Sequence, residues 1–160
     1  MMRNKVFVDS GGWIACVDDK DKHYNSAISY FHELRNKSIP LYTSNYVINE
    51  TITWVKYNLG HNKAIHAMKL WKKAEKSNLL KIYWIDKNIA DDAWEIFKKY
   101  EDHKLSFADC TSFAICRKQH IEKVFGFDSD FNTLGFLLSP YQVHEERIEY
   151  NVLQPCNRHF

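Results

Sequence analysis

Two short, wholly apolar runs each stop at an aspartate, and this pattern limits the architecture more than any other feature of the chain. Val6-Phe7-Val8 ends at Asp9, and Val124-Phe125-Gly126-Phe127 ends at Asp128. Runs of this kind read as strands covered on both faces, which is the habit of parallel sheets flanked by helices. In an open α/β sheet, ligands bind outside the carboxyl ends of the strands, so both aspartates fall on the ligand-binding edge. Glu50 lies inside the helical stretch that follows Ser44, and Asp109 lies in the first turn of a helix opened by Ser106. Four carboxylates arriving from four segments repel one another unless they share a cation. Their hard oxygens suit Mg²⁺ or Mn²⁺ rather than zinc. Position alone therefore points to a metal-dependent enzyme acting on phosphate esters.

The rest of the chain supplies the helices such a sheet requires. Met1 to Asp9 reads as the first strand, with Ser10-Gly11-Gly12 as a turn into a helix beginning at Trp13. A second helix opens near Asp21, carries Ala27, Ile28, Phe31 and Leu34 at helical spacing, and ends between Asn36 and Pro40. Leu41-Tyr42-Thr43 is a short strand, and Ser44 caps a helix that runs to about Asn58 and breaks at Gly60. Asn62 to Ser77 is helical, with Ile65, Met68, Leu70 and Trp71 expected on its inner side. Leu80 to Ile85 is a third strand, Asp86 and Ser106 cap two further helices, and Glu122 to Phe127 is a fourth strand. Gln142-Val143 is the candidate fifth strand, and Ile148 to Leu153 an edge strand or tail. Alternation of this kind predicts a three-layer α/β/α fold around a central parallel sheet of four to five strands. Residues 1–140 form its body, and residues 141–160 a terminal strand or tail of the same domain.

Composition narrows the class. At 160 residues the chain fits one domain, and 45% hydrophobic content with ten Phe, nine Tyr and five Trp is ample for a core. Cys16, Cys110, Cys116 and Cys156 show no C-x-x-C pair and no zinc-ligand spacing with histidine, so a disulfide framework is not expected. The absence of a leader-like segment and of any apolar run near 18 residues points to a cytoplasmic protein with no membrane partner. A net charge of only +2 leaves nucleic-acid binding to local patches. Between Lys56 and Lys81 there are seven lysines and one acid, Glu75; from Asp86 to Asp102 the balance reverses, with six acids and three lysines. Lys69, Lys72, Lys73 and Lys76 are the candidate RNA-binding residues. Trp54, Tyr57 and Trp71 interleave with this segment, an arrangement suited to stacking bases and neutralising phosphates.

Four blocks of sequence resemble a PIN domain, in particular the single-domain ribonucleases of the VapC toxin type. They are Val6 to Ile14, Ser44 to Glu50, Leu105 to Cys110, and Phe125 to Phe131, and their order and spacing span most of the chain. The resemblance implies a five-stranded parallel sheet with an acidic site at Asp9, Glu50, Asp109 and Asp128, and Asp130 at a more variable polar position. It implies Mg²⁺- or Mn²⁺-dependent cleavage of single-stranded RNA, leaving 5′-phosphate and 3′-hydroxyl ends. In many relatives it further implies a small antitoxin partner and a homodimer. Gly126 departs from the pattern, since relatives often carry Thr or Ser two residues before the last acid.

Each residue also has a plainer role. Asp9 could end a strand, Glu50 could be a solvated helix residue, and Ser106 with Asp109 matches a capping box. Asp128 and Asp130 could form a turn and cap, Ser10 could be an N-cap rather than a hydroxyl orienting Asp9 or a water, and the lysines could be a solvated face. Against these, the flanks of Glu50 (Val47, Ile48, Ile52, Trp54) predict a largely buried helix, in which an unpaired carboxylate is costly. In the metal reading, Asp9 and Asp109 are direct ligands, while Glu50 and Asp128 bind a second ion or orient water. A phosphatase of the haloacid-dehalogenase type would need Asp-x-Asp where this chain has Asp9-Ser10-Gly11. The alternative that remains is a non-catalytic module of the same fold that binds RNA or protein.

Overall fold

A computed structural model describes residues 4–140. Five parallel strands form one sheet: β1 (Val6–Val8), β2 (Leu41–Ser44), β3 (Leu80–Tyr83), β4 (Lys123–Phe125) and β5 (Leu137–Ser139), in the order β3-β2-β1-β4-β5. Helices α1 (Ser10–Val17) and α2 (Tyr24–Asn36) join β1 to β2, and α3 (Asn45–Leu59) and α4 (His61–Lys76) join β2 to β3. Helices α5 (Lys87–Lys99) and α6 (Phe107–Lys118) join β3 to β4, and the short α7 (Asp130–Thr133) precedes β5. The chain moves outward from β1 through β2 to β3, then returns to the other side of β1 for β4 and β5. The strand order thus reverses at β1 and β4, and the loops leaving these strands part there to form the crevice of an α/β fold. Asp9 and Asp128 flank that point. Among the described residues, no helix is long and apolar enough to cross a membrane.

Burial explains why these segments are strands. Val6, Phe7 and Val8 are each fully buried, as are Val124 and Phe125. Phe7, Phe113, Phe125 and Phe131 are among the largest wholly buried side chains, each contributing roughly 2–3 kcal/mol of apolar burial. Helix α6 is buried along nearly its whole length, from Cys110 to Cys116, which places Asp109 at the rim of the core.

Several expectations are corrected. Ser10, Gly11 and Gly12 are the first turn of α1 rather than a turn before it. The reason is packing: a Cβ on Gly12 would lie 2.4 Å from the backbone carbonyl oxygen of Phe125, so only glycine lets α1 approach β4 this closely. On α4 the inner residues are Ala64, Ala67 and Trp71, whereas Ile65 and Leu70 are exposed. Trp71 is inside as expected and Met68 packs against the core, but the alanines take the close face where Ile65 and Leu70 were expected. The third and fourth strands stop earlier than expected, at Tyr83 and Phe125. The fifth strand is Leu137–Ser139, while the candidate strands within 141–160 lie outside the described residues.

The glycine pair gives a sharp test. Gly12→Ala forces a clash with backbone that cannot move aside, and is expected to cost about 2–3 kcal/mol, lowering Tm by roughly 5–10 °C. Gly11→Ala meets nothing nearer than Phe127 N at 3.9 Å and should be neutral or stabilising by up to about 1 kcal/mol, since alanine favours the helix. Equal melting shifts for the two variants would contradict the packing of α1 on β4.

Candidate active site

Asp9 is held more firmly than its neighbours. Its backbone N–H donates to Phe125 O at 3.0 Å, which extends the β1–β4 ladder by one residue, and its carbonyl accepts from Trp13 N at 3.1 Å to start α1. Behind it, Trp13 Nε1 donates to Thr43 Oγ1 at 3.3 Å, and that hydroxyl donates to Val8 O at 2.9 Å. The buried Thr43 thus ties β2, β1 and α1 together beneath the carboxylate. Asp9 is only 6% exposed. Burial is the main reason its pKa rises from the ordinary 3.8 to about 7, and Asp109, Glu50 and Asp128 push in the same direction against the backbone N–H of Ser10.

Glu50 arrives from β2 without a loop. Ser44 ends the strand and caps α3, its hydroxyl accepting from Val47 N at 3.1 Å, so Glu50 stands near the start of the helix. The expectation of a largely buried helix is corrected, because α3 is two-sided: Val47, Ile48, Thr51 and Val55 are buried, and Glu50 itself is exposed. Partial burial of its carboxylate, followed by Asp109, nonetheless raises its pKa, and a hydrogen bond from the Ser10 side chain opposes the rise. Ser10 lies inside α1, where Asp9 is the N-cap. Its hydroxyl faces Glu50, and its backbone N–H serves Asp9.

Asp109 occupies the capping box read from the sequence. Its backbone N–H donates to Ser106 Oγ at 3.0 Å, and its Oδ2 accepts from Ser106 N at 2.9 Å. This uses one carboxylate oxygen and leaves the other, so capping and ligation are compatible. Burial raises its pKa, Ser106 lowers it through both backbone and side chain, and Asp128 and Asp130 raise it. Asp128 is exposed, and its Oδ1 accepts from Asp130 N at 3.0 Å, the turn that sets Asp130 at the start of α7. Gly126 lies beside Asp9: a Cβ there would sit 3.2 Å from Asp9 Cβ and 3.7 Å from Oδ2. A hydroxyl-bearing residue at this position would therefore crowd Asp9, not Asp128.

The donor set fits a hard divalent cation. Burial, followed by neighbouring acids, raises the pKa of Asp9, Glu50 and Asp109, and among the described residues none of the three ion pairs involves the four acids; those pairs join Lys37 to Glu33, Lys87 to Asp91 and Lys98 to Glu95. Also among the described residues, no three His, Cys, Asp or Glu side chains are drawn into a closed ligand cluster. The three described thiols are unsuited to nucleophilic work: burial pushes Cys110 up to about 11 and Cys16 to about 12, and raises Cys116 as well.

The basic segment lies elsewhere. Lys69, Lys72, Lys73 and Lys76 are exposed on the half of α4 where Leu70, Trp71 and Ala74 line a cavity with Pro40, Leu41, Leu79 and Leu80. Those last residues mark the amino ends of β2 and β3, the sheet edge opposite the acids. Trp71 is buried edge-on against Trp13 at 5.6 Å between ring centroids, so it stacks no base. Trp54 and Tyr57 instead line a groove of about 620 Å³ beside Glu50, Ser106 and Ala108. Most of that groove belongs to one face of α3, through Tyr46, Asn49, Thr53 and Asn58. Sequence reasoning overlooked these four, although their helical spacing with Glu50 was available as a signal.

Comparison with known proteins places the chain in a family and matches its fold. The PIN domain family profile matches residues 6–137. The chain is 30% identical over 132 residues to the 23S rRNA-specific endonuclease VapC20 of Mycobacterium tuberculosis, covering 82% of this chain and 95% of the relative. It is 25% identical over 134 residues to a VapC ribonuclease of Archaeoglobus fulgidus, covering 81% and 82% of the two chains. The solved structure of VapC20, described as a sarcin-ricin loop cleaving toxin, superposes with a TM-score of 0.72 at 29% identity, over 83% of this chain and 97% of that one. DNA-bound VapBC of Salmonella typhimurium, at 12% identity and a TM-score of 0.62 over 84% and 96%, shares the fold.

Proposed function

The chain belongs to the PIN domain family, and from that premise we propose that it is a Mg²⁺- or Mn²⁺-dependent endoribonuclease that hydrolyses phosphodiester bonds of single-stranded RNA. One observation carries the reading. Asp9 follows β1 at the sheet's switch point, where it is buried, and burial together with the charges of Asp109, Glu50 and Asp128 pushes its pKa up to about 7. Buried acidity of this kind, without a pairing cation side chain, marks functional sites more often than structural ones. The named activities of the two VapC relatives, endonuclease and ribonuclease, support RNA as the substrate class.

Bound divalent metal supplies charge neutralisation at phosphorus and a lowered pKa for a water molecule. Asp9 and Asp109 would be its direct ligands. Glu50 and Asp128 would hold a second ion or orient water, Ser10 hydrogen-bonds the Glu50 carboxylate, and Asp130 N–H donates to Asp128 in the turn that presents it. No serine, cysteine or histidine is assigned a covalent role. The product ends are 5′-phosphate and 3′-hydroxyl. Purified protein should therefore cut unstructured RNA in Mn²⁺ or Mg²⁺, stop in EDTA and leave ends that a 5′-phosphate-dependent exonuclease degrades. Undiminished cutting in EDTA would exclude the metal scheme.

VapC20 is described as a toxin, and we extend that role to this chain, with a small antitoxin protein as its partner. The four α4 lysines, remote from the acids, serve as phosphate contacts for RNA long enough to reach across the domain. Changing Lys69, Lys72, Lys73 and Lys76 to Gln is expected to shallow the log-affinity against log-salt slope for such RNA by about two to three. An unchanged slope removes them from the RNA path.

A further inference from the structure

We propose that the groove along α3 is a nucleobase subsite: an unpaired base flanking the cleaved phosphate stacks on its tyrosines and is read by its carboxamides. This inference rests on the ribonuclease reading, since the groove opens directly from the acidic site. Glu50, Ser106 and Ala108 line it, and Ser106 caps the helix that carries Asp109. At about 620 Å³ it lies within the roughly 300–1,000 Å³ of small-ligand sites.

Its chemistry selects the occupant. Tyr57 is 80% exposed and Tyr46 37% exposed, with the half-buried Trp54 between them on the same helix face. Rings left in water beside a catalytic edge offer flat, sequence-tolerant stacking surfaces. None of the lining residues is Val, Leu, Ile or Met, so a hydrophobic helix from a partner would find no aliphatic pocket. The sole charged lining residue is Glu50, which repels phosphate and leaves the neutral base as the part of the strand that enters. Asn49, Thr53 and Asn58 supply polar groups for base edges. The Asn58 nitrogen already donates to Trp54 O at 2.9 Å, so its oxygen is the acceptor that remains, matched to an exocyclic amino group.

The test uses a short single-stranded RNA carrying 2-aminopurine beside the scissile phosphate, bound to the Asp9→Asn protein so that it is not consumed. Stacking should quench the fluorophore. Adding Tyr57→Ala should abolish most of the quench and weaken binding about tenfold, and in the active enzyme raise KM with little change in kcat. An abasic spacer at the same position should bind weakly and be indifferent to Tyr57→Ala. Tyr57 is exposed, so its variant should melt like its parent. If Tyr57→Ala leaves quench, affinity and KM unchanged, the subsite is wrong while the nuclease stands. Quenching in a protein that never cuts RNA overturns the nuclease reading instead. If the variant changes only the oligomeric state, the groove is a contact between two copies of this chain and the proposal fails.

Discussion

Asp9→Asn is expected to lower the cleavage rate at least about a hundredfold, the loss of several kcal/mol of transition-state stabilisation, while making the metal-free protein more stable. These effects have one cause. The carboxylate is buried among three others, so it is costly to hold without a cation and useful when one is present. Asparagine keeps the volume and can still accept the Ser10 N–H, but carries no charge. At pH 8 the metal-free variant should gain on the order of 4 kcal/mol, roughly 8–16 °C in Tm. A residue that merely ended a strand would lose a little stability on this change and leave the rate alone. Wild-type cleavage by the variant would dismiss the site assignment, and an unchanged Tm would dismiss the electrostatic account of Asp9.

The second large effect is on pH dependence. The pKa of Asp9 is raised in the fold from 3.8 to about 7, so folding favours its protonated form. The sign follows: the contribution is fully present below about pH 4 and is lost as pH rises to about 7, on the order of 4 kcal/mol for this group. Glu50 and Asp109, also raised, act in the same direction. Unfolding free energies of metal-free wild type and Asp9→Asn should therefore be similar near pH 4 and diverge in favour of the variant up to about pH 7. Mn²⁺ requires the deprotonated ligands, so its stabilisation of wild type should be larger at pH 8 than at pH 5. Parallel pH profiles for the two proteins would contradict the assigned shift.

Much of this site was legible because apolar runs announce strands and the acids sit at their ends. Asp9 and Asp128 needed only the rule that α/β sheets bind ligands at the carboxyl edge. Asp109 was legible as a cap, and the capping box with Ser106 is present. What escaped depends on three-dimensional proximity. The glycines at 11 and 12 read as a turn because nothing local reveals the Phe125 carbonyl over Gly12. The inner face of α4 was misjudged because alanines at 64 and 67 give no strong hydrophobic signal, yet they permit close contact. β5 is three residues at the sheet edge with Leu137 exposed, too short and too open for a pattern. The separation of the four lysines from the acids was likewise unreadable, because it is set by which end of the sheet α4 packs against. The α3 groove was hidden for the same reason, since half of its meaning comes from Ser106 and Ala108, some fifty residues further along the chain.

We propose that Asp9, Glu50, Asp109 and Asp128 jointly hold a divalent cation. Calorimetric titration with Mn²⁺ near pH 6.5, repeated in two buffers of different ionisation heat, measures affinity and proton release together. Wild type should bind Mn²⁺ and release a substantial fraction of one proton, while Asp9→Asn should bind at least about tenfold more weakly and release almost none. Equal affinity and equal proton release in the two proteins would contradict the account.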